Sequence, residues 1–486
     1  MAGSMLSVDS TRSGSATARP VNPSVAGNAE SGARVVGLVP RSNTVTAASP
    51  ALSPSISPTR RVAWASMVGT SLESFDFYVF AYFSAFFIGP LFFEPLGHFG
   101  ATLASFSTIA LAFVIRPIGA IVFGHMGDRL GRRATLLWTV AIMGVATGLI
   151  GVLPTYAQAG WVGAVLLVVL RLIQGLSLGG EWGGSILLAT EHSGRVKRAF
   201  YASIPQLGSP VGSTLTAVVF LVMASALPSQ LATWGWRIPF LLAFPLLAVS
   251  LYLRWSIDET PVFQEVVAEH RRDRMPVLAM FRQAPAPLLI AIGAAVLGIG
   301  SYSLMNTYTM EYGASQLHYE YNQLLIATTI GSLLQFVTIP LFGVWANRIG
   351  SAKVVMWGAL GTLVIAFPIY FLLQTASFGV LVGMMIIGGI LPTAAWAALG
   401  GLMNDLFPDH FRYSALSIAY AVAATISGFV PLVTLAFGQA TGYPWWHPGV
   451  ILALLSAVTL VCAWLAARRP RVPESQSEAA AELADA

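Results

Sequence analysis

The sequence predicts an all-α membrane protein, with twelve transmembrane helices in two six-helix, pseudo-symmetric halves. Three observations carry this prediction. The 486-residue chain is 56% hydrophobic and only 10% charged, with a mean hydropathy of +0.71, whereas soluble proteins carry about a quarter charged residues. Apolar runs of about twenty residues, the length that crosses a bilayer core, recur along the chain. A fifteen-residue stretch of the first half returns in the second at a constant offset of 219 positions.

Residues 1–60 are rich in Ser, Pro, Ala, Gly and Thr with scattered arginines and no apolar core. They read as a disordered cytoplasmic tail and lack the apolar centre of a cleaved signal peptide. Apolar segments follow near 63–92, 100–125, 134–153, 160–190, 200–225 and 237–256, which make a first half over 61–256. A central loop, 257–284, is the longest connection. Six more segments lie near 285–312, 320–346, 351–374, 377–402, 412–438 and 447–467, making a second half over 285–467, and a short tail, 468–486, closes the chain.

The loops alternate in charge. Arg129, Arg132 and Arg133 follow the second segment, and Arg195, Lys197 and Arg198 the fourth. The central loop holds Arg271, Arg272, Arg274 and Arg282, the eighth segment is followed by Arg348 and Lys353, the tenth by Arg412, and the twelfth by Arg468, Arg469 and Arg471. The odd loops, such as "PTYAQAG" and "TGYPWWHP", carry no Lys or Arg. The positive-inside rule therefore places both termini and every even loop in the cytoplasm, and the inner (plasma) membrane is the expected location. The net charge of +5 is a topology signal, because the basic residues are spread over these loops instead of forming the single patch a nucleic acid would need. One cysteine, Cys462, excludes an intrachain disulfide and a cysteine metal cluster.

The repeat aligns "GHMGDRLGRRATLLW" (124–138) with "GVWANRIGSAKVVMW" (343–357) without gaps, matching Gly124 with Gly343, Arg129 with Arg348, Gly131 with Gly350 and Trp138 with Trp357. Two homologous six-helix halves follow, the layout of transporters that work by alternating access around a site between the halves.

"GHMGDRLGRR" resembles the loop 2–3 signature of the major facilitator superfamily, Gly-x-x-x-Asp-Arg-x-Gly-Arg-Arg. "LESFDF", "RPIGAIVFGHMGDRLGRR", "RLIQGLSLGGEWGGS", "EHSGRVKRAFYASIPQLGSPVG" and "DETPVF" are similar to its metabolite:proton symporter family, relatives of citrate, oxoglutarate, shikimate and proline/betaine carriers. The resemblance runs from about residue 60 to 467. It implies the twelve-helix fold, a proton as coupling ion with no other cofactor, and a helix 1 acid paired with a helix 4 arginine. The second half departs from the pattern, with Asn347 where the first half has Asp128.

The intramembrane charges supply the chemistry. A mid-helix arginine costs about 2.5–3.5 kcal/mol on insertion scales, so Arg171 should face a partner or a wet cavity. Helical periodicity sets Gln174 and Glu181 near the face of Arg171, with Gly175, Gly179 and Gly183 as a packing stripe beside it. Depth predicts two pairs: Asp76, one turn beyond Glu73 on segment 1, with Arg171; and Glu181 with Arg116, which precedes the ladder-breaking Pro117. A carboxylate beside an arginine in a half-dry cavity suits proton coupling. Asp76, Glu73, Arg171, Glu181 and Arg116 are the expected coupling residues. Arg116, Arg171, Gln174, Gln206, Tyr302, Asn306 and Tyr308 are the expected substrate contacts, and Glu311 an exposed helix end. Gly124, Asp128, Arg129, Arg132, Arg133 and Glu191 are expected to form a cytoplasmic gate.

No phosphate-binding loop, nucleophile elbow or metal-spaced His/Cys cluster competes, so the chain is not expected to be an enzyme or to bind metal. The expectation is a lipid-embedded symporter, functional as a monomer, that brings a small polar metabolite inward with a proton and has no nucleic-acid partner. The arginines favour an organic acid or a zwitterion. An antiporting exporter, an uncoupled facilitator and a ligand sensor on the same fold are the alternatives.

Overall fold

A computed structural model describes residues 58–191, 193, 197–226, 230–255 and 276–469. The N-terminal tail up to residue 57, most of the central loop and the tail beyond 469 lie outside the described residues. The rest is helical, with no strand among the described residues.

In the first half, α1 runs over Pro58–Phe83 and continues through a π turn, Ser84–Ile88, into Gly89–Phe92. Two pieces, Gly97–Val114 and Arg116–Leu130, form α2. They meet at Ile115, where Pro117 removes a ladder donor. Then come α3, Arg132–Ile150, and α4, Trp161–Glu191. Helix α5 comprises Arg198–Ser203, a tight turn at Pro205–Leu207, and Gly208–Ala226. Helix α6 comprises Arg237–Leu241 and Ala243–Trp255.

The second half holds α7, Pro285–Ser303, a π turn at Leu304–Tyr308 and Thr309–Ser315; α8, Tyr321–Ile349; α9, Ser351–Leu373; and α10, Phe378–Leu406. Helix α11 is Arg412–Gly428 followed by Val430–Thr441, and α12 is His447–Ala467. Ten helical runs among the described residues are individually long and apolar enough to cross a membrane, and α1 and α5 bring the set to twelve.

The internal repeat is visible in the backbone. Gly131 and Gly350, 219 residues apart, start α3 and α9 with φ of 113° and 96°, a region that side-chain-bearing residues avoid. Trp138 and Trp357, one matched pair further on, both face outward, 62% and 57% exposed. The apolar residues left bare on the outer faces suit a lipid solvent.

Small residues let the helices of the first half approach closely. A methyl group on Gly119 would collide with the Leu176 carbonyl, one on Gly175 with the Ala112 carbonyl, and one on Gly179 with backbone atoms of Arg116 and Ala120. The glycine stripe of α4 thus lies against α2, as its spacing predicts. At Gly183 the stripe leaves α2 and meets Ser417 of α11, in the other half.

Candidate functional site

Between the halves lies a cleft enclosing about 840 Å³, open mouth included. Both halves line it. Glu73 of α1 and Arg116 of α2 supply opposite charges, Ser74, Ser209, Asn306 and Gln335 supply neutral polar groups, and Phe77, Tyr78, Tyr302, Trp396 and Tyr420 supply aromatic walls. The Arg116 guanidinium sits 4.2 Å from the centre of the Phe113 ring and shares the cleft wall with Tyr420. Tyr78 meets Tyr302 across the halves edge to face, with centroids 5.2 Å apart.

Just outside the cleft is a closed polar network. Asp76 Oδ1 accepts hydrogen bonds from Gln174 Nε2 at 2.6 Å and Thr147 Oγ1 at 2.8 Å. Arg171 Nη1 stands 3.6 Å from Asp76 Oδ2 and donates to Gln174 Oε1 at 3.0 Å. The guanidinium lies over Phe80, 3.6 Å from the ring centre, where cation–π attraction offsets part of its desolvation. All four polar residues are buried. The expected Asp76–Arg171 pair is therefore formed, whereas Arg171 and Gln174, expected to touch substrate, are turned into this network and do not line the cleft.

The expected Glu181–Arg116 pair is not formed. Glu181 accepts from Thr139 Oγ1 at 2.7 Å and Ser185 Oγ at 3.3 Å, whereas Arg116 points into the cleft. The cause is rotation, since Gly179 faces α2 and Glu181, two residues on, is turned about 200° away, toward α3. Depth was matched but direction was not.

Tyr302 and Asn306 line the cleft as expected. Tyr308 does not; its hydroxyl is 2.5 Å from His447 Nε2, whose Nδ1 meets the Pro444 carbonyl. The π turn at 304–308 adds a residue to that helical turn and swings Tyr308 toward α12. Glu311 is exposed at the outer end of α7, as expected. Gln206 is also a correction: it accepts from Trp182 Nε1 at 2.9 Å and donates to the Trp396 carbonyl at 3.1 Å. It is a strut joining the halves, and not a wall of the cleft.

That strut belongs to a seal under the cleft, on the side of the arginine-rich loops. Trp182 stacks on Tyr420, with centroids 4.4 Å apart and planes 7° from parallel. Deeper, Tyr413 Oη donates to the Gly180 carbonyl at 2.9 Å, and Asp128 Oδ2 accepts from the Ser414 hydroxyl at 2.6 Å and its backbone N–H at 3.0 Å. Gly124 gives Ser414 room, since a methyl there would press on its Cα. Arg132 binds Glu191 at 3.2 Å within the first half. Two expected gate residues lie elsewhere in role: Arg129 is exposed, with Nη1 3.4 Å from His125 Nε2, and Arg133 donates to the Trp255 carbonyl at 2.6 Å, tying α3 to α6. Sequence reasoning missed Ser414, Gln335 and Trp396, and marked Asn347 only as the counterpart of Asp128 in the repeat, without a role.

The matching family models are described as "Sugar (and other) transporter", over residues 62–287, and "Major Facilitator Superfamily", over 290–485. Among curated relatives, the inner membrane metabolite transport protein YhjE of Escherichia coli is 34% identical over 414 residues, 84% of this chain and 93% of that one. The shikimate transporter of the same species is 32% identical, over 83% and 94%. Among solved structures, the proton:xylose symporter XylE bound to 6-bromo-6-deoxy-D-glucose superposes with a TM-score of 0.71 at 18% identity, over 88% of this chain and 99% of that one, a likeness of fold.

Proposed function

Since the chain belongs to the major facilitator superfamily, and so is a transporter and not an enzyme, we propose that it is a proton-coupled symporter. On this reading it carries a small polar metabolite, an organic acid or a zwitterion, into the cytoplasm by alternating access. One observation carries the reading: a buried carboxylate–arginine network, Asp76 with Arg171, adjoins a two-walled cleft in which Arg116 and Glu73 are presented to a ligand. Arg116 is the group to hold a substrate carboxylate, because a guanidinium matches it with two parallel hydrogen bonds. Asp76 takes the coupling proton, and its protonation releases Arg171 and Gln174 to rearrange. Glu73 stays with the substrate.

The positive-inside rule makes the arginine-rich end cytoplasmic. With that end sealed by Trp182, Tyr413 and Asp128, the cleft belongs to the outward-facing side of the cycle. Both termini are cytoplasmic, the inner membrane is the location, and one copy suffices, since both walls of the cleft come from one chain.

The test is external pH in lightly buffered, de-energised cells expressing the chain, pulsed in turn with carboxylates, aromatic acids, amino acids and betaines. Alkalinisation with one compound identifies the substrate and establishes inward symport. Acidification would point to an antiporter, and silence with the protein present in the membrane to a facilitator or sensor.

A further inference from the structure

The two matched ends of the internal repeat grip the opposite half in the same way, with one difference in charge. Asp128 of α2 accepts from the backbone N–H of Ser414, the third residue of α11. Asn347 of α8, 219 positions later, accepts through Oδ1 from the backbone N–H of Phe200, the third residue of α5, at 3.1 Å. The glycine four residues before each makes room for it. Gly124 lies under Ser414, and a methyl on Gly343 would collide with Ser203 and press on Phe200. Two clamps related by the pseudo-two-fold axis thus close the arginine-rich end. The first is charge-assisted and doubled by the Ser414 hydroxyl; the second is a single neutral hydrogen bond. A charge-assisted bond is roughly twice as strong as a neutral one.

We propose that Asn347 is a positioning residue that sets how readily the sealed end opens: its neutral carboxamide keeps the α5–α8 clamp weak beside the charged α2–α11 clamp. A carboxylate at this position would accept the same N–H with a full charge and hold the end shut. This rests on the alternating-access reading above, because only a seal that must break gains from one weak clamp.

The experiment uses the full-length protein in native membranes, with Cys462→Ala and a reporter Ser203→Cys, at a fully buried position beside Gly343. Reaction of that thiol with a maleimide reports opening of the sealed end. Asn347→Asp should slow labelling about fivefold to tenfold, equivalent to about 1–1.4 kcal/mol. Asn347→Ala and Asp128→Asn should each accelerate it. The exchanged pair Asp128→Asn with Asn347→Asp should return to within about twofold of the parent. Misfolding exposes the thiol and speeds labelling, so a slower rate for Asn347→Asp cannot come from failure to fold. Labelling of Asn347→Asp at the parent rate or faster, or an exchanged pair no slower than Asp128→Asn alone, overturns the assignment. A reporter that never reacts in any variant would overturn the opening itself, and with it both readings.

Discussion

Asp76→Asn separates the coupling charge from the shape of its network. The amide keeps the Oδ1 acceptor that Gln174 and Thr147 bind, at 2.6 and 2.8 Å, and replaces Oδ2, which faces Arg171 at 3.6 Å. The loss is therefore almost purely the ion pair. At 3.6 Å and an effective dielectric of about 20, two unit charges attract by about 4–5 kcal/mol. Breaking a buried pair by removing one partner costs about 3–5 kcal/mol, because the other charge is stranded. Both side chains are under 5% exposed, so solvent screening takes little from this figure. Phe80 still covers the guanidinium, which puts the expected loss nearer 3 kcal/mol. Unfolding of the purified full-length protein should show that loss, and Asp76→Asn combined with Arg171→Gln should cost less than the sum of the two singles by a similar amount. With the compound that alkalinises the medium, Asp76→Asn should abolish accumulation against a gradient yet retain exchange of substrate across the membrane. Unimpaired accumulation would refute the coupling role. A coupling energy below about 0.5 kcal/mol would refute the ion-pair argument.

Gly179→Ala should destabilise by about 3 kcal/mol, at the upper end for overpacking, because the added methyl meets the backbone of Arg116 and Ala120, which cannot rotate aside. Gly383→Ala, with no atom within 4 Å of the new carbon, should leave the thermal midpoint unchanged or raise it. Tyr308→Phe should cost about 1 kcal/mol through the lost His447 contact while leaving the apparent substrate affinity within about twofold, whereas Tyr302→Phe, in the cleft wall, should weaken it; concentration-dependent uptake separates the two. Arg116→Lys should weaken uptake affinity about tenfold or more, since an ammonium cannot bind a carboxylate through two parallel hydrogen bonds.

What was legible in the sequence was what depends on position along a helix axis. The apolar run lengths gave the twelve helices, the loop arginines gave the two ends, and equal depth brought Asp76 to Arg171. Rotation about the axis was harder to read. Glu181 and Arg116 share a depth but face different neighbours, because Gly119, Gly175 and Gly179 fix which side of α4 meets α2. Tyr308 was misplaced because the π turn at 304–308 is a departure from 3.6 residues per turn that carries no compositional mark. Gln206 was misplaced because a polar residue at mid-membrane is equally suited to a ligand and to the orphan polar atoms of a neighbouring helix; here the Trp182 indole and the Trp396 carbonyl take it. The contacts between halves lie furthest from the sequence, yet Asn347 was already singled out as the counterpart of Asp128.

The two carboxylates of α1 show why a transporter of this design keeps two acids one turn apart. They sit three residues apart, so the helix turns about 300° between them and aims them in directions about 60° apart. Glu73 reaches the cleft, where a ligand can meet it, and Asp76 reaches the network with Thr147, Gln174 and Arg171. On the symport reading, substrate and proton then occupy different side chains of one rigid helix and need not displace each other. On that reading Arg116, which lines the cleft, connects the two sites, because a guanidinium in a dry interior acts on a buried carboxylate beyond contact distance. A substrate carboxylate bound to Arg116 would cancel part of the positive field around Asp76, and a proton on Asp76 would leave Arg116 freer for that carboxylate. Each cargo thereby favours the other, and by linkage the preference is equal in both directions. A single carboxylate serving both cargoes would make them compete, which is the requirement for exchange in opposite directions. On the symport reading, the separation of Glu73 from Asp76 is what lets the two cargoes travel together and not in exchange.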